Sequence, residues 1–130
     1  MSKRTLLIED NLQNSYLATY LLEKNGFQVV HATDGAKALE IAKNSHFDLI
    51  LLDIQLPSMD GYSVASALRE LESTYHIPII AVTSYAMVGD KEKAVAAGCD
   101  GYIEKPIDPD RFINEIENII EISKAKEKSK

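Results

Sequence analysis

Leu49-Ile50-Leu51-Leu52 is an unbroken apolar run that ends on Asp53. A strand with one face in water alternates apolar and polar residues. A run without polar interruption reads as a strand buried on both faces, as in parallel sheets covered by helices. Ile77–Thr83 carries a second such run, Ile79-Ile80-Ala81-Val82, ending on a hydroxyl. Working outward, Thr5–Ile8, Phe27–His31 and Tyr102–Glu104 supply three more short strands.

The stretches between them have helical spacing. Leu17, Tyr20 and Leu21 share one face of a segment from about residue 13 to 24, stopped by Asn25-Gly26. Ala38, Leu39 and Ala42 line the next, after Asp34-Gly35; Val64, Ala67, Leu68 and Leu71 line a third, after Asp60-Gly61. A fourth, over 87–97, is weakly apolar (Val88, Ala94, Val95) and stops at Gly98. The fifth carries Phe112, Ile113, Ile116, Ile119 and Ile120, and Asp108-Pro109 reads as its N-cap and first helical residue. Strand and helix thus alternate five times. The expectation is an α/β fold: a doubly wound, five-stranded parallel sheet with right-handed crossovers and helices on both faces. One domain is expected over 1–122. Residues 123–130 form a charged tail, read as a fraying helix end or a linker.

Composition narrows the function classes. The 130 residues carry 14 Lys plus Arg against 20 Asp plus Glu, a net charge of −6. Such a surface repels phosphate backbones and anionic lipid, so nucleic acid and membrane are not expected partners. The single cysteine, Cys99, excludes an internal disulfide framework and a multi-thiolate metal site. Lys3 and Arg4 precede only Thr5-Leu6-Leu7-Ile8 before Glu9 and Asp10, too short for a signal-peptide core, and no run approaches the roughly 20 residues of a membrane span. A cytoplasmic protein is expected.

In open parallel sheets, ligands bind beyond the carboxyl ends of the strands where strand order reverses. Glu9 and Asp10 follow the first strand, Asp53 ends the third, Thr83 ends the fourth, and Lys105 follows the fifth; the second is followed by uncharged Ala32-Thr33. An order 2-1-3-4-5 puts the second strand at the edge and gathers the other four ends into one cup. Singly, each acid has an ordinary reading: Asp10 as a helix cap, Asp53 as a turn former before Pro57. Together, three carboxylates facing one ammonium repel and raise at least one pKa. A hard divalent cation relieves this, and the absence of His and Cys from these ends argues against zinc. A carboxylate can also attack phosphorus to give an aspartyl phosphate. Asp53, central among the ends, is the best-placed nucleophile, with Glu9 and Asp10 left for the metal and with Lys105 and Thr83 for phosphoryl oxygens.

Other uses of this architecture meet missing residues. Two acids after the first strand would repel a flavin phosphate. Neither G-x-G-x-x-G nor G-x-x-x-x-G-K-[ST] occurs. A dehalogenase-type phosphatase uses D-x-D, whereas Gln55 stands two residues after Asp53. That absence points to a long-lived acyl phosphate without fast turnover of external phosphate esters, so the chain is not expected to be an enzyme in the usual sense. Elsewhere the residues read as ordinary: Tyr16, Tyr20 and Phe112 as core or rim, Cys99 as a small buried residue, and His31, His46 and His76 as structural, since they lack ligand spacing.

With these positions in place, the chain resembles the receiver domain of bacterial two-component response regulators over about residues 3–122. Four stretches carry the likeness: Leu7-Ile8-Glu9-Asp10-Asn11, Leu51 to Gly61 around Asp53, Ala81-Val82-Thr83-Ser84, and Tyr102-Ile103-Glu104-Lys105-Pro106. The finer likeness is to stand-alone DivK-like regulators or hybrid-kinase receivers. The resemblance implies the flavodoxin-like receiver fold. It implies that Asp53 accepts phosphate from a histidine kinase or a histidine phosphotransfer protein. It implies Mg²⁺ (or Mn²⁺) held by Asp10, Asp53 and the Gln55 backbone carbonyl, with Glu9 acting partly through water. Lys105 would contact the phosphoryl group, and the Lys105-Pro106 bond would be cis. Thr83 and Tyr102 match the family's switch pair, and Gln55 and Tyr85 match positions that tune dephosphorylation. Ser84 departs from the alanine of many members. The fourth helix, fifth strand and fifth helix would form the face read by a protein target, on a monomer or weak dimer. Two further readings compete: a constitutive docking module that is never phosphorylated, and a receiver cut from a larger regulator or hybrid kinase.

Overall fold

The computed structural model describes residues 3–56, 59–84 and 88–128. Five strands, β1 (Lys3–Ile8), β2 (Phe27–Ala32), β3 (Leu49–Asp53), β4 (Ile79–Thr83) and β5 (Gly101–Glu104), alternate with α1 (Leu12–Lys24), α2 (Gly35–Asn44), α3 (Gly61–Glu70), α4 (Val88–Ala96) and α5 (Phe112–Lys128). The strands form one parallel sheet in the order β2-β1-β3-β4-β5, as the apolar runs imply.

Every residue of β3 and β4 is buried. Consecutive side chains of β3 go to opposite layers. Ile50 and Leu52 join Leu6, Ile8, Ala38, Val64, Leu68 and Ala94 beneath α2, α3 and α4. Leu49 and Leu51 join Leu7, Leu22, Phe112 and Ile116 beneath α1 and α5. This two-sided burial accounts for the lack of alternation in the sequence. Truncating one of these leucines to alanine costs about 2–5 kcal/mol.

Short polar residues start the helices and thereby free the acids of the rim. Asn11, not Asp10, caps α1, its side chain accepting the Asn14 N–H at 2.9 Å. Asp34 accepts from Lys37 N–H at 2.8 Å to cap α2. Asp60 caps α3, and Gly61 follows because a Cβ there would lie 2.5 Å from the Ile54 backbone. The start of α5 differs from expectation. Residues 109–111 form a turn, with the Asp108 carbonyl accepting from Arg111 and Phe112 and its carboxylate from Asp110, so the helix opens at Phe112. At its far end α5 continues as helix through Lys128, taking in most of the charged stretch after residue 122. No helix among the described residues is long and apolar enough to cross a membrane.

Candidate functional site

Parallel pairing sets the four strand ends at one rim. Ile8 lies beside Leu52, Asp53 beside Val82, and Thr83 beside Glu104, so the residues that end or follow β1, β3, β4 and β5 converge. Carboxylate oxygens of Glu9, Asp10 and Asp53 all lie within 4.8 Å of one another. Glu9 and Asp53 are buried and Asp10 is exposed, so the cup has a closed floor and an open lip.

Lys105 enters from the β5 side. Its Nζ is 3.1 Å from Glu9 Oε1 and 3.2 Å from Asp53 Oδ1. The peptide that delivers it, Lys105-Pro106, is cis. Its backbone N–H donates to the Thr83 carbonyl at 2.8 Å, tying the β5 end to the β4 end. The Thr83 side chain is buried. Asp53 also serves the turn role considered for it alone, since Oδ1 accepts the Gln55 N–H at 3.0 Å. The Gln55 side chain crosses to the neighbouring loop, its Oε1 accepting the Ser84 N–H at 3.2 Å.

The electrostatics follow from this crowding. Burial pushes the Glu9 carboxyl up from 4.5 to about 7. A hydrogen bond with Asp53 and the Asp53 charge add to the rise, against the Asn11 N–H and the Lys105 ammonium. For Lys105, burial lowers the pKa, but the bond to Glu9 and the two carboxylate charges outweigh it and hold the ammonium above its ordinary range. Three acids against one ammonium leave a negative pocket of oxygen donors. That donor set fits a hard cation such as Mg²⁺, which takes carboxylates together with water and phosphate oxygens.

Tyr102 is half-buried on β5, with the Lys91 ammonium of α4 5.6 Å from the centre of its ring. Tyr85 lies outside the described residues. Phe112 and Cys99 are buried as expected, whereas Tyr16 and Tyr20 stand exposed on α1 with Leu12. The sequence reading missed His31. Its ring reaches the edge of the site, Nε2 lying 2.7 Å from the Glu9 carbonyl oxygen. Only the in-register pairing of Ile8 with Ala32 brings it there, and no spacing in the sequence signals it.

Comparison with known proteins agrees with this geometry. The family description "Response regulator receiver domain" matches residues 5–117. The polar-differentiation response regulator DivK of Brucella ovis is 42% identical over 120 residues, covering 92% of this chain and 98% of that protein. The chemotaxis response regulator CheY4 of Vibrio cholerae superposes with a TM-score of 0.87 at 25% identity, covering 92% of this chain and 99% of that one. The receiver domain of the sensor histidine kinase PA1611 of Pseudomonas aeruginosa superposes with a TM-score of 0.84 at 33% identity, covering 92% and 98%. That structure holds a magnesium ion coordinated in its active site cleft.

Proposed function

Because this chain belongs to the response regulator receiver family, we propose that it is a phosphorelay switch in which Asp53 takes a phosphoryl group from a phosphohistidine. The observation that carries the proposal is the convergence of Asp53 with Glu9, Asp10 and Lys105 at one rim. An Asp53 Oδ attacks phosphorus, the P–N bond to the donor imidazole breaks, and the imidazole leaves with a proton. Lys105, already 3.2 Å from Asp53, balances charge on a phosphoryl oxygen. Asp10, Asp53 and the Gln55 backbone carbonyl would hold Mg²⁺ (or Mn²⁺), with Glu9 acting partly through water. When bound, the cation offsets the negative charge of the acids and the incoming phosphoryl oxygens. Catalysis is limited to the domain's own phosphorylation and slow hydrolysis of its acyl phosphate.

The switch acts through Thr83 and Tyr102. An aspartyl phosphate adds about −1.5 to −2 charges and strong acceptor oxygens. These reward a conformer in which the Thr83 hydroxyl donates to the phosphoryl group while the Tyr102 ring turns inward. A full change of population from 1:99 to 99:1 needs about 5.5 kcal/mol of differential stabilisation. The ring shares its surroundings with Lys91 on α4, so the face of α4, β5 and α5 is the surface a target protein reads. A cleft of about 460 Å³ lined by Tyr102, Glu104, Arg111 and Glu115 lies on that face. The phosphodonor, a histidine kinase or histidine phosphotransfer protein, approaches over α1. There Leu12, Tyr16 and Tyr20 form an exposed stripe that starts beside Asp10. Gln55 and Tyr85 tune the phosphate lifetime. The domain spans 1–122, acts in the cytoplasm, and works as a monomer or weak dimer.

Incubation with Mg²⁺ and acetyl phosphate or phosphoramidate, followed by intact mass measurement, tests this reading. The expected result is a gain of one phosphoryl group that Asp53→Asn abolishes and chelation of Mg²⁺ prevents while the fold survives. No gain with donor and metal present would favour a constitutive docking module.

A further inference from the structure

β2 ends at Ala32, two residues short of what the Glu9 backbone needs. The Glu9 N–H donates to the Ala32 carbonyl at 3.0 Å, the last rung of the ladder between β1 and β2. In a continuing parallel ladder the Glu9 carbonyl would accept from a backbone N–H two residues beyond Ala32. Here that residue is Asp34, which has already turned away to cap α2. The carbonyl is met by a side chain instead. His31 Nε2 lies 2.7 Å from it, and since a carbonyl oxygen can only accept, Nε2 carries the proton and donates.

The Glu9 carbonyl and the Asp10 N–H belong to one rigid planar unit. Anchoring the oxygen therefore sets the direction in which the chain leaves Glu9 and the starting orientation of Asp10. Glu9 is gripped on both sides, by Ala32 and His31 at the backbone and by Asn11 N–H and Lys105 at the carboxylate. Asp10 is exposed and α1 is capped by Asn11, so the Glu9–Asp10 peptide is what directs its carboxylate toward Asp53.

We infer that His31 is a positioning residue for the metal-binding acids: its imidazole N–H takes the place of a missing rung of the sheet and holds the Glu9–Asp10 peptide so that both carboxylates meet Asp53. The inference rests on the reading of this cup as a Mg²⁺ site. Groups that orient metal ligands from behind commonly change affinity by about 10–100-fold when removed. His31 acts one step further back, through the backbone, so the lower end of that range is expected.

The test compares His31→Leu, which keeps bulk and removes the donor, with His31→Gln, which keeps an N–H donor of similar reach. Mg²⁺ is titrated into each purified protein by calorimetry, and thermal unfolding is followed without metal. His31→Leu should bind Mg²⁺ about tenfold more weakly, and His31→Gln should bind within about twofold of the parent, whatever their unfolding temperatures. Parent-like affinity in His31→Leu, or His31→Gln as weak as His31→Leu, overturns the inference. A parent protein that binds no Mg²⁺ instead overturns the metal reading itself. Should His31→Leu fail to fold, ring ¹⁵N shifts of the metal-free parent decide: an Nε2–H tautomer supports the inference, and an Nδ1–H tautomer overturns it.

Discussion

The Gln55 side chain bridges two loops of the rim, its Oε1 accepting the Ser84 N–H 3.2 Å away. Gln55 follows Asp53 by two residues, and Ser84 follows Thr83 directly, so this bond links the loop after Asp53 to the loop after Thr83. Gln55→Ala removes the bridge and opens that side of Asp53 to water. One net hydrogen bond is worth about 1 kcal/mol, so the aspartyl phosphate should hydrolyse about fivefold faster. Decay of the phosphorylated protein, followed by intact mass, checks this; an unchanged half-life contradicts it.

If Glu9 serves the proposed Mg²⁺ site, protonation and metal compete for it. Its folded-state pKa of about 7 lies above the ordinary 4.5, so between these values the metal-free fold holds a proton that the unfolded chain releases. The stabilising contribution of this group is complete below about pH 4.5 and is lost as pH rises through about 7. Denaturation of the metal-free protein from pH 5 to pH 8 should therefore show stability declining with pH, and Glu9→Gln should flatten that dependence. Mg²⁺ affinity should run the opposite way and strengthen as pH rises through the same window. A metal affinity independent of pH there would contradict the prediction.

Arg69 carries the structural counterpart of the site at the opposite end of the sheet. Its guanidinium donates to the carbonyls of Gly98 (2.8 Å), Tyr75 (3.0 Å) and Ile77 (2.6 Å) and to Asp100 Oδ2 (2.7 Å). Asp100 in turn accepts the Ile79 N–H at 2.9 Å. Gly98 has φ +104° and a Cβ there would lie 2.6 Å from Arg69 Cγ, so the glycine both makes the turn and admits the side chain. Arg69→Ala leaves a half-buried carboxylate and several carbonyls without this donor, and should cost about 2–4 kcal/mol in urea denaturation. Arg69→Lys should recover only part of it, because an ammonium lacks the planar fork. Full recovery by lysine would contradict this account of the hub.

Thr5 is fully buried in β1, and its Oγ1 is the buried side-chain polar atom without a hydrogen-bond partner among the described residues. Thr5→Val replaces the hydroxyl with a methyl of similar size and should stabilise the fold by about 1 kcal/mol. A destabilised variant would show that the hydroxyl has a partner.

Much of this was readable from residue order because the signals are local. Leu49–Leu52 and Ile79–Val82 announce two-sided burial, and the acids, hydroxyl and lysine fall directly at the ends of such runs, so strand order alone assembles the cup. What was not readable depends on register and on the reach of side chains. His31 looks like any strand histidine until β2 is placed beside β1 with its last residue opposite Ile8. Arg69 looks like a solvated helix residue until α3 is docked beside the turn at Gly98. Asp108-Pro109 carries the marks of a helix start, yet the carbonyl of Asp108 first closes a turn and the helix proper waits for Phe112.

The central claim is that Asp53, and neither of its acidic neighbours, receives the phosphoryl group. Borohydride reduces an acyl phosphate of aspartate to homoserine, which marks the modified residue permanently. Peptide mass mapping of phosphorylated and reduced protein should place homoserine at position 53, with Asp10 and Glu9 unchanged. Reduction product at position 10 or 9, with Asp53 intact, would contradict the account.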